Sequence, residues 1–452
     1  MKSPASHSEA EIHAHWGRLM IGVLALALAA RLLAAFALED HVQGSQRQFF
    51  VEGDANGYWE LGQKLARGEQ YAIHHPPRYV LRTPGFPLFL AACNHLIGTE
   101  IIHARFCLAF VGTGCCWLVW LLGARLFTHR VGFWACVIVA LNPLQVGNSV
   151  LILSETLFTF FMLATLLSQL SLHSAITRTG GGAESQFPVN LLLRSGMLGC
   201  LLACTTLVRP GFILWLPLSC VLVLLASPRD RPSADKDPTS HRVRRSLSTC
   251  GVLLAFFLTM LPWAWRNFET TGHVVFTSLW SGPSLYDGLN PEADGTSNME
   301  FFDRDQVMTR QDMTENEMNE HYRDLAVQFV RKNPWRAVEL GFLKAARYLA
   351  PSPAVLSRRY GVLSAACAAF YAVFVGLIVL GVWRGDGNRS LNPLGLALSL
   401  GPFLLFLLVH LVFVGSVRYR LPVEFPLSVL AGAGIRQLLT RNRSTAAPSE
   451  TE

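Results

Sequence analysis

The feature that most limits the fold of this chain is a series of long apolar runs that carry almost no charge. A run of about 18 or more apolar residues is long enough to cross a bilayer as a helix. Such runs recur along the 452 residues, of which 51% are apolar and 15% are charged. The pattern predicts an all-α polytopic membrane protein rather than the several soluble domains that this length would otherwise suggest.

Candidate membrane spans follow from these runs, and the lysine and arginine content of the short loops orients them. The candidates are 18–38, 104–126, 131–149, 155–173, 192–208, 211–227, 247–265, 361–383, 392–415 and 420–437. With the N-terminus inside, the basic short loops alternate consistently, so both termini are predicted to be cytoplasmic. The membrane domain then covers 18–437, between the tails 1–17 and 438–452.

The first apolar run permits a second interpretation. Trp16 to Leu38 could be a signal peptide, because Ala35-Phe36-Ala37 resembles a cleavage site. The stretch is longer than a usual signal core and it contains Arg31. We therefore expect an uncleaved first membrane helix.

Two large loops, 39–103 and 266–360, are predicted on the extracytoplasmic side. Within the first loop, residues 84–98 are apolar but short for a span, and they contain two prolines. We expect a juxtamembrane helix that lies at the outer membrane surface, because counting it as a span would invert every later loop. In the second loop a helix is expected near 314–332, where the first residues have capping-box spacing.

Charge and cysteine usage argue against several classes of protein. The formal net charge is +7, but the basic residues are spread over many loops without a nucleic-acid-binding signature, so no nucleic-acid partner is expected. The ten cysteines lie in apolar stretches and form no CxxC pair, which argues against a zinc site or a disulfide framework. The histidines also lack metal-ligand spacing. No cofactor or metal site is therefore predicted, although a divalent cation is possible.

Two acidic residues are the leading candidates for chemistry. Asp54 follows the first span in a polar loop, where a carboxylate at the membrane face can act as a general base. Its alternative role is to cap a helix that starts just after it, and spacing alone favours that role. Glu155, at the outer end of a span, is the second candidate because an ionisable group there is costly. Its alternative is that Ser154 caps the helix and Glu155 complements the helix dipole.

Arginines of the predicted outer loops form the next group of candidates. A guanidinium recognises phosphate with a planar, bidentate fork, so several on one face would bind an anionic headgroup. Each one singly could instead be an interfacial residue whose charge reaches toward water. The group consists of Arg82, Arg209, Arg266, Arg418 and Arg420. Among the aromatic residues, Tyr58 could stack on a sugar or pack against the membrane surface, and Tyr419 fits an aromatic belt.

Short motifs occur along the chain in a recognisable order. Asp54 to Gly68 match D-x-x-x-Y-x-x-L-A-x-x-L-x-x-G, except that Gly62 replaces the alanine. The later motifs are R-T-P-x-x-P from Arg82 to Pro87, N-P at Asn142, S-E-T at Ser154, R-P-G at Arg209, P-W-x-x-R-N from Pro262 to Asn267, and Y-R-x-P from Tyr419 to Pro422. This series resembles the GT-C superfamily of integral-membrane glycosyltransferases. The likeness is to its bacterial branch similar to protein O-mannosyltransferases and the lipid A aminoarabinose transferase, glycosyltransferase family 39-like.

The resemblance implies a GT-C-like bundle of about ten transmembrane helices in the inner membrane of a bacterium, with its active site on the extracytoplasmic face. The donor would be a polyprenyl-phosphate-linked sugar among the membrane lipids. The acceptor would be a lipid, a glycan or a protein, and it would attack the anomeric carbon with inversion.

The resemblance also implies a role for each candidate residue. Asp54 would deprotonate or orient the acceptor, and Glu155 would position it. Arginines such as Arg82, Arg266 and Arg420 would stabilise the charge that grows on the leaving phosphate. The remaining substrate-binding candidates are Tyr58, Arg209, Arg418 and Tyr419.

Other functions remain open at this point: a secondary transporter, a polymerase or ligase of surface polysaccharide, and a non-catalytic membrane scaffold. Transporters usually place charges at the bilayer midplane and often show inverted repeats. Here the charged candidates lie at predicted span ends and no repeat is visible in the sequence, which favours the glycosyltransferase.

Overall fold

The computed structural model describes residues 4–177, 187–227, 238–306, 313–353, 360–384 and 392–445. Within these ranges the chain is helical and forms no strand beyond an isolated bridge between Ile73 and Arg78. The prediction of an all-α protein is confirmed. The outermost parts of the predicted tails, 1–3 and 446–452, and two pieces of loop 266–360 lie outside the described residues.

The helices are named here in chain order. They are α1 (Pro4–Gly44), α2 (Asp54–Ala66), α3 (Gly85–Leu96), α4 (Ile101–Leu126), α5 (His129–Leu141), α6 (Pro143–Asn148), α7 (Glu155–Thr177), α8 (Phe187–Val208), a 3-10 turn (Pro210–Leu214), α9 (Trp215–Leu224), α10 (Pro238–Thr271), α11 (Ser281–Gly288), α12 (Glu300–Arg304), α13 (Glu315–Lys332), α14 (Pro334–Leu349), α15 (Gly361–Arg384), α16 (Pro393–Val412) and α17 (Val417–Thr445). Both α1 and α17 extend beyond the ends of the predicted spans, so parts of both predicted tails are helical.

Helices long and apolar enough to cross a membrane occur seven times in the described residues. They are Trp16–Gly44, Ile101–Leu126, Glu155–Thr177, Val189–Val208, His241–Thr271, Gly361–Trp383 and Pro393–Val412. Each overlaps a predicted span, so the chain is a multi-pass membrane protein. The predicted span 420–437 lies inside the longer helix α17, whose first turns carry several charged side chains.

Two of the predicted spans are wrong as continuous helices. Span 131–149 is divided into α5 and α6, because Asn142 is extended (φ −66°, ψ 114°) and Pro143 begins the next helix. Proline has no N–H for the preceding turn, and the Asn142 side chain accepts hydrogen bonds from the first N–H groups of α6. Span 211–227 is likewise divided into the 3-10 turn and the short helix α9.

Within the apolar stretch 84–98 lies α3, which is too short to cross a bilayer and packs on α2. The predicted helix is therefore confirmed, and its place at the outer membrane surface stays a prediction. A Cβ atom built on Gly62 of α2 would lie only 2.7 Å from the Leu90 Cβ. This close approach explains physically why a glycine stands where the family pattern has alanine.

The two large loops fold against each other. Leu279 donates its backbone N–H to the Val80 carbonyl over 2.9 Å. The Glu315 carboxylate, at the start of α13, accepts backbone N–H bonds from Tyr79 over 2.7 Å and from Val80 over 3.0 Å. The predicted helix near 314–332 is α13, and its capping box is present. These bonds hold the segment that carries Arg82 at one end of the helical bundle.

Candidate active site

Asp54 is the first residue of α2, and its side chain faces a group of arginines. The residue that caps this helix is Gly53, in a left-handed conformation with φ of 84° that suits glycine. Asp54 Oδ1 accepts a hydrogen bond from Arg82 Nη2 over 2.6 Å, and Oδ2 accepts one from Arg418 Nη1 over 3.0 Å. The helix-cap interpretation of Asp54 is therefore wrong.

Glu155 is the first residue of α7 and is completely buried. Its Oε1 accepts hydrogen bonds from Arg418 Nε over 2.6 Å and from Arg209 Nη1 over 3.2 Å. Its other oxygen, Oε2, is buried and has no hydrogen-bond partner among the described residues. A buried carboxylate oxygen of this kind is an acceptor that a hydroxyl or amine of a ligand can satisfy.

One arginine joins the two acids into a single cluster. Arg418, in the first turn of α17, donates from Nη1 to Asp54 and from Nε to Glu155. The three guanidinium groups of Arg82, Arg209 and Arg418 outnumber the two carboxylates, so the cluster carries one net positive charge. We call these five side chains the arginine–carboxylate cluster. They come from α2, α7, α17 and the segments after α8 and before α3.

The electrostatics of Asp54 follow from these contacts. Burial opposes ionisation, but the charges and hydrogen bonds of Arg82 and Arg418 outweigh it and hold the pKa of the Asp54 carboxyl well below its usual range. Asp54 is therefore ionised at neutral pH. It can accept a hydrogen bond from an incoming nucleophile, but while both arginines remain in place it retains a proton poorly.

Aromatic rings contact arginines of the cluster through cation–π interactions. The Arg82 guanidinium lies 5.1 Å from the centre of the Tyr58 ring and 5.5 Å from that of Trp280. The Arg209 guanidinium lies 4.8 Å from the Tyr419 ring centre. Cation–π contacts of this kind stabilise a cation and limit its movement. Tyr58 and Tyr419, both predicted to bind substrate, thus contact arginines directly.

Arg266 lies outside the cluster and supports the loop that carries Arg82. It donates to the backbone carbonyl of Tyr79 over 2.7 Å and to that of Tyr71 over 2.8 Å. The Tyr71 hydroxyl in turn donates to the carbonyl of Arg82 over 3.1 Å. Arg266 is therefore linked to the backbone of Arg82 through Tyr71.

Arg420 is fully buried and faces a different set of partners from Arg418. Its Nε donates to Glu424 Oε1 over 2.7 Å, and its Nη1 donates to the carbonyls of Tyr348 over 2.7 Å and Ala350 over 2.8 Å. Two residues of α-helix correspond to a rotation of roughly 200°, so Arg418, just before the Y-R-x-P motif, and Arg420, within it, point in nearly opposite directions. The structure brings Arg418 into the cluster and leaves Arg420 out of it.

Some residues around the cluster were not identified as site residues from the sequence. Trp280 comes from the second large loop, and no local pattern marks it. His410, in α16, stacks on Tyr419 with the ring centres 4.5 Å apart. The N-P motif had no assigned role; its Asn142 caps α6 and donates to Glu424 over 3.4 Å. The N-P motif therefore stabilises the helix packing, and the hydrogen bonds of Asn142 lie outside the arginine–carboxylate cluster.

The described residues with metal-binding side chains do not form a metal site. Among the described residues, no group of three or more His, Cys, Asp or Glu side chains is arranged to hold a metal ion. The two acids of the cluster are occupied by arginines.

Comparison with known proteins identifies the fold. No protein-family model matches the sequence, and no curated protein matches it either. The archaeal oligosaccharyltransferase AglB from Archaeoglobus fulgidus, in complex with an inhibitory peptide and a dolichol-phosphate, aligns with a TM-score of 0.54 and 12% identity over 97% of this chain and 52% of its own. A structure of the Archaeoglobus fulgidus oligosaccharyltransferase with Zn and sulfate aligns with a TM-score of 0.55 and 13% identity over 94% of this chain and 50% of its own.

ArnT from Cupriavidus metallidurans bound to undecaprenyl phosphate aligns over 95% of this chain and 82% of its own, with a TM-score of 0.38 and 12% identity. The chain spans about half the length of the oligosaccharyltransferase chains that it matches. The chain shares the fold of the Archaeoglobus fulgidus oligosaccharyltransferase, and this agrees with the GT-C-like helical bundle expected from the sequence.

Proposed function

We propose that this protein is a membrane glycosyltransferase that moves a sugar from a polyprenyl-phosphate-linked donor to an acceptor on the extracytoplasmic side of a bacterial inner membrane. The observation that carries the proposal is the arginine–carboxylate cluster at one end of an apolar helical bundle. Its net positive charge suits a phosphate whose lipid tail remains in the bilayer. The dolichol-phosphate in the structure of AglB supports the same class of donor.

The arginines are assigned to the phosphate. As the bond between the anomeric carbon and the phosphate oxygen breaks, its electron pair stays on the phosphate and adds negative charge there. Arg82, Arg209 and Arg418 already lie together, so little reorganisation is needed to stabilise that charge. Confining both substrates to one membrane face supplies part of their orientation.

The carboxylates are assigned to the acceptor, which is a lipid, a glycan or a protein. Asp54 accepts the hydrogen bond of the attacking hydroxyl or amine, which forms the new bond to the anomeric carbon on the side opposite the phosphate and so inverts it. The proton leaves through Asp54 to solvent. A donor phosphate bound beside Arg82 and Arg418, which keep their contacts with Asp54, would add negative charge nearby, raise the pKa of the Asp54 carboxyl and make it a better base. The unpartnered Oε2 of Glu155 supports a role in positioning the acceptor.

The proposal is tested with purified full-length protein in lipid nanodiscs and a polyprenyl-phosphate sugar. Asp54→Asn should lower the transfer rate by about 100-fold or more, since positioned proton transfer contributes about that much. The matched control is Arg323→Gln, because Arg323 is exposed and its contact with Asp324 is a long 3.7 Å. Transfer by Asp54→Asn at the wild-type rate would contradict the assignment of Asp54.

A second experiment separates the enzyme from its rivals. Mass spectrometry of envelope lipids, glycans and glycoproteins from a deletion strain should show a glycan that lacks one sugar, which would name sugar and acceptor together. A wild-type protein that never consumes the donor but moves solute across vesicles would overturn the proposal in favour of a transporter.

A further inference from the structure

Enzymes often join two acidic residues beside a phosphate with a divalent cation. Such a cation is held by one or two carboxylates and by phosphate oxygens, and it neutralises charge on the leaving group. In this chain the position between Asp54 and Glu155 is filled by the guanidinium of Arg418. The acidic pair therefore does not fit a bound metal ion.

We propose that Arg418 takes the place of a divalent cation in this site: it joins Asp54 to Glu155 and presents fixed positive charge to the donor phosphate, so that sugar transfer requires no metal ion. The inference rests on the proposed function for its phosphate, but the bridge itself is a property of the protein alone.

The geometry of the guanidinium supports this assignment. Two different nitrogens of Arg418 reach the two acids, with 3.0 Å from Nη1 to Asp54 Oδ2 and 2.6 Å from Nε to Glu155 Oε1. A planar fork with several donors can do this, whereas a lysine ammonium is a single point charge. The backbone N–H of Arg418 also donates to Ser416 Oγ over 3.3 Å, which helps to position the start of its helix.

The remaining oxygens of the acids leave too few ligands for a metal ion. Arg82 binds Asp54 Oδ1, and Arg209 shares Glu155 Oε1 with Arg418. Glu155 Oε2 is then the one cluster oxygen with no arginine partner in the described part of the chain. Zinc takes about three or four protein ligands, which a single buried oxygen cannot supply. Magnesium takes one or two carboxylates together with water and phosphate oxygens, and here only one carboxylate oxygen of the cluster lacks an arginine among the described residues.

Charge also opposes a metal ion here. The cluster already carries one net positive charge from three arginines and two acids. A divalent cation would raise that to three positive charges within one partly buried site, where like charges repel more strongly than in water. The same single positive charge is well matched to a phosphodiester, which carries one negative charge.

The first test measures metal binding to chelator-stripped wild-type protein in nanodiscs, by calorimetric titration with Mn²⁺ and with Zn²⁺. We expect the wild type and Asp54→Asn to give the same titration curves, and we expect neither metal to raise the melting temperature of the wild type. One bound metal per chain that is lost in Asp54→Asn would overturn the proposal. Metal binding is measured without sugar transfer. The absence of a metal site can therefore be refuted while the proposed function stands, and the proposed function can fail while the absence of a metal site stands.

The second test asks whether Arg418 is what couples the two acids. The melting temperatures of Asp54→Asn, Glu155→Gln and the double variant are measured in the wild-type background and in Arg418→Gln. With Arg418 present, we expect the fall in melting temperature of the double variant to differ from the sum of the two single falls. Without Arg418, we expect it to equal that sum. Equal coupling in both backgrounds would overturn the bridge. Arg418→Lys provides a second background if Arg418→Gln does not fold, with the same expectation of weaker coupling.

The third test uses activity. Transfer by the wild type should be unchanged by a chelator, and Arg418→Gln should lower it by about 100-fold or more. Loss of wild-type transfer in a chelator, with recovery on adding Mn²⁺, would contradict the proposal.

Discussion

The buried ion pair of Arg420 and Glu424 allows a test of whether Arg420 stabilises the fold while Arg418 binds substrate. The two side chains are 0% and 3% exposed, and Arg420 Nε lies 2.7 Å from Glu424 Oε1. Arg420→Met would leave the Glu424 carboxylate buried, with only the amide groups of Asn142 and Gln145 as donors, at 3.4 and 3.2 Å. An uncompensated buried charge costs about 3–5 kcal/mol.

Arg420→Met would also leave two carbonyl groups without their donor. The carbonyls of Tyr348 and Ala350 each lose a hydrogen bond from a charged group, at roughly 1.5–3 kcal/mol apiece, part of which relaxation recovers. We therefore expect a loss of stability of about 5 kcal/mol or more. The apparent melting temperature should fall by roughly 5 °C or more.

The double variant Arg420→Met/Glu424→Leu separates charge from contact. Replacing both members of a buried ion pair by apolar side chains removes the stranded charge, so we expect it to recover about 3 kcal/mol of that loss. Because Arg420 does not touch the arginine–carboxylate cluster, the double variant should also keep most of the transfer rate. Arg418→Met serves as the contrast and should lose it.

The measurements are thermal melts in nanodiscs and transfer from a polyprenyl-phosphate sugar. A double variant no more stable than Arg420→Met would refute the reasoning about the stranded charge. A double variant that loses transfer as deeply as Arg418→Met would show that Arg420 contacts substrate after all.

Two further predictions concern α2. Gly62→Val should lower stability by about 1–3 kcal/mol, because even a Cβ at this position lies 2.7 Å from the Leu90 Cβ; a melt checks this, and unchanged stability would contradict the close packing. Arg82 and Arg418 hold the pKa of Asp54 well below its ordinary value of 3.8, so its ion pairs contribute stability that is complete above that value and is lost only as pH falls through the lowered pKa. The melting temperatures of the wild type and Asp54→Asn should therefore differ by a constant amount between about pH 5 and 8, and a difference that changes in that range would contradict the assignment.

Much of the architecture could be predicted because it depends on local properties. An apolar run long enough to span a bilayer forms a helix wherever it occurs in the chain, since no water is present to satisfy its backbone. The division of span 131–149 had a local indication, because Pro143 lacks the N–H that a continuous helix would use, although Pro262 and Pro402 lie inside α10 and α16. That error came from giving hydropathy precedence over the proline.

The candidate site was only partly predictable. The acids and arginines were found as a set, because charged side chains at span ends are rare and costly. The roles of its members could not be separated, because Arg418 and Arg420 differ only in the direction in which the start of α17 points them. Likewise, the spacing around Asp54 favoured a helix cap.

Hydropathy alone predicts a helical membrane protein with charged candidates at the ends of its spans, because hydropathy acts over one helix at a time. Tertiary packing determines which groups Asp54 contacts, since its partner Arg418 lies 364 residues further along the chain. The same packing directs Arg266 to backbone carbonyls, and Arg420 to backbone carbonyls and Glu424, rather than to Asp54 and Glu155. Contacts between distant segments depend on how helices pack and rotate against one another, and no local pattern records that.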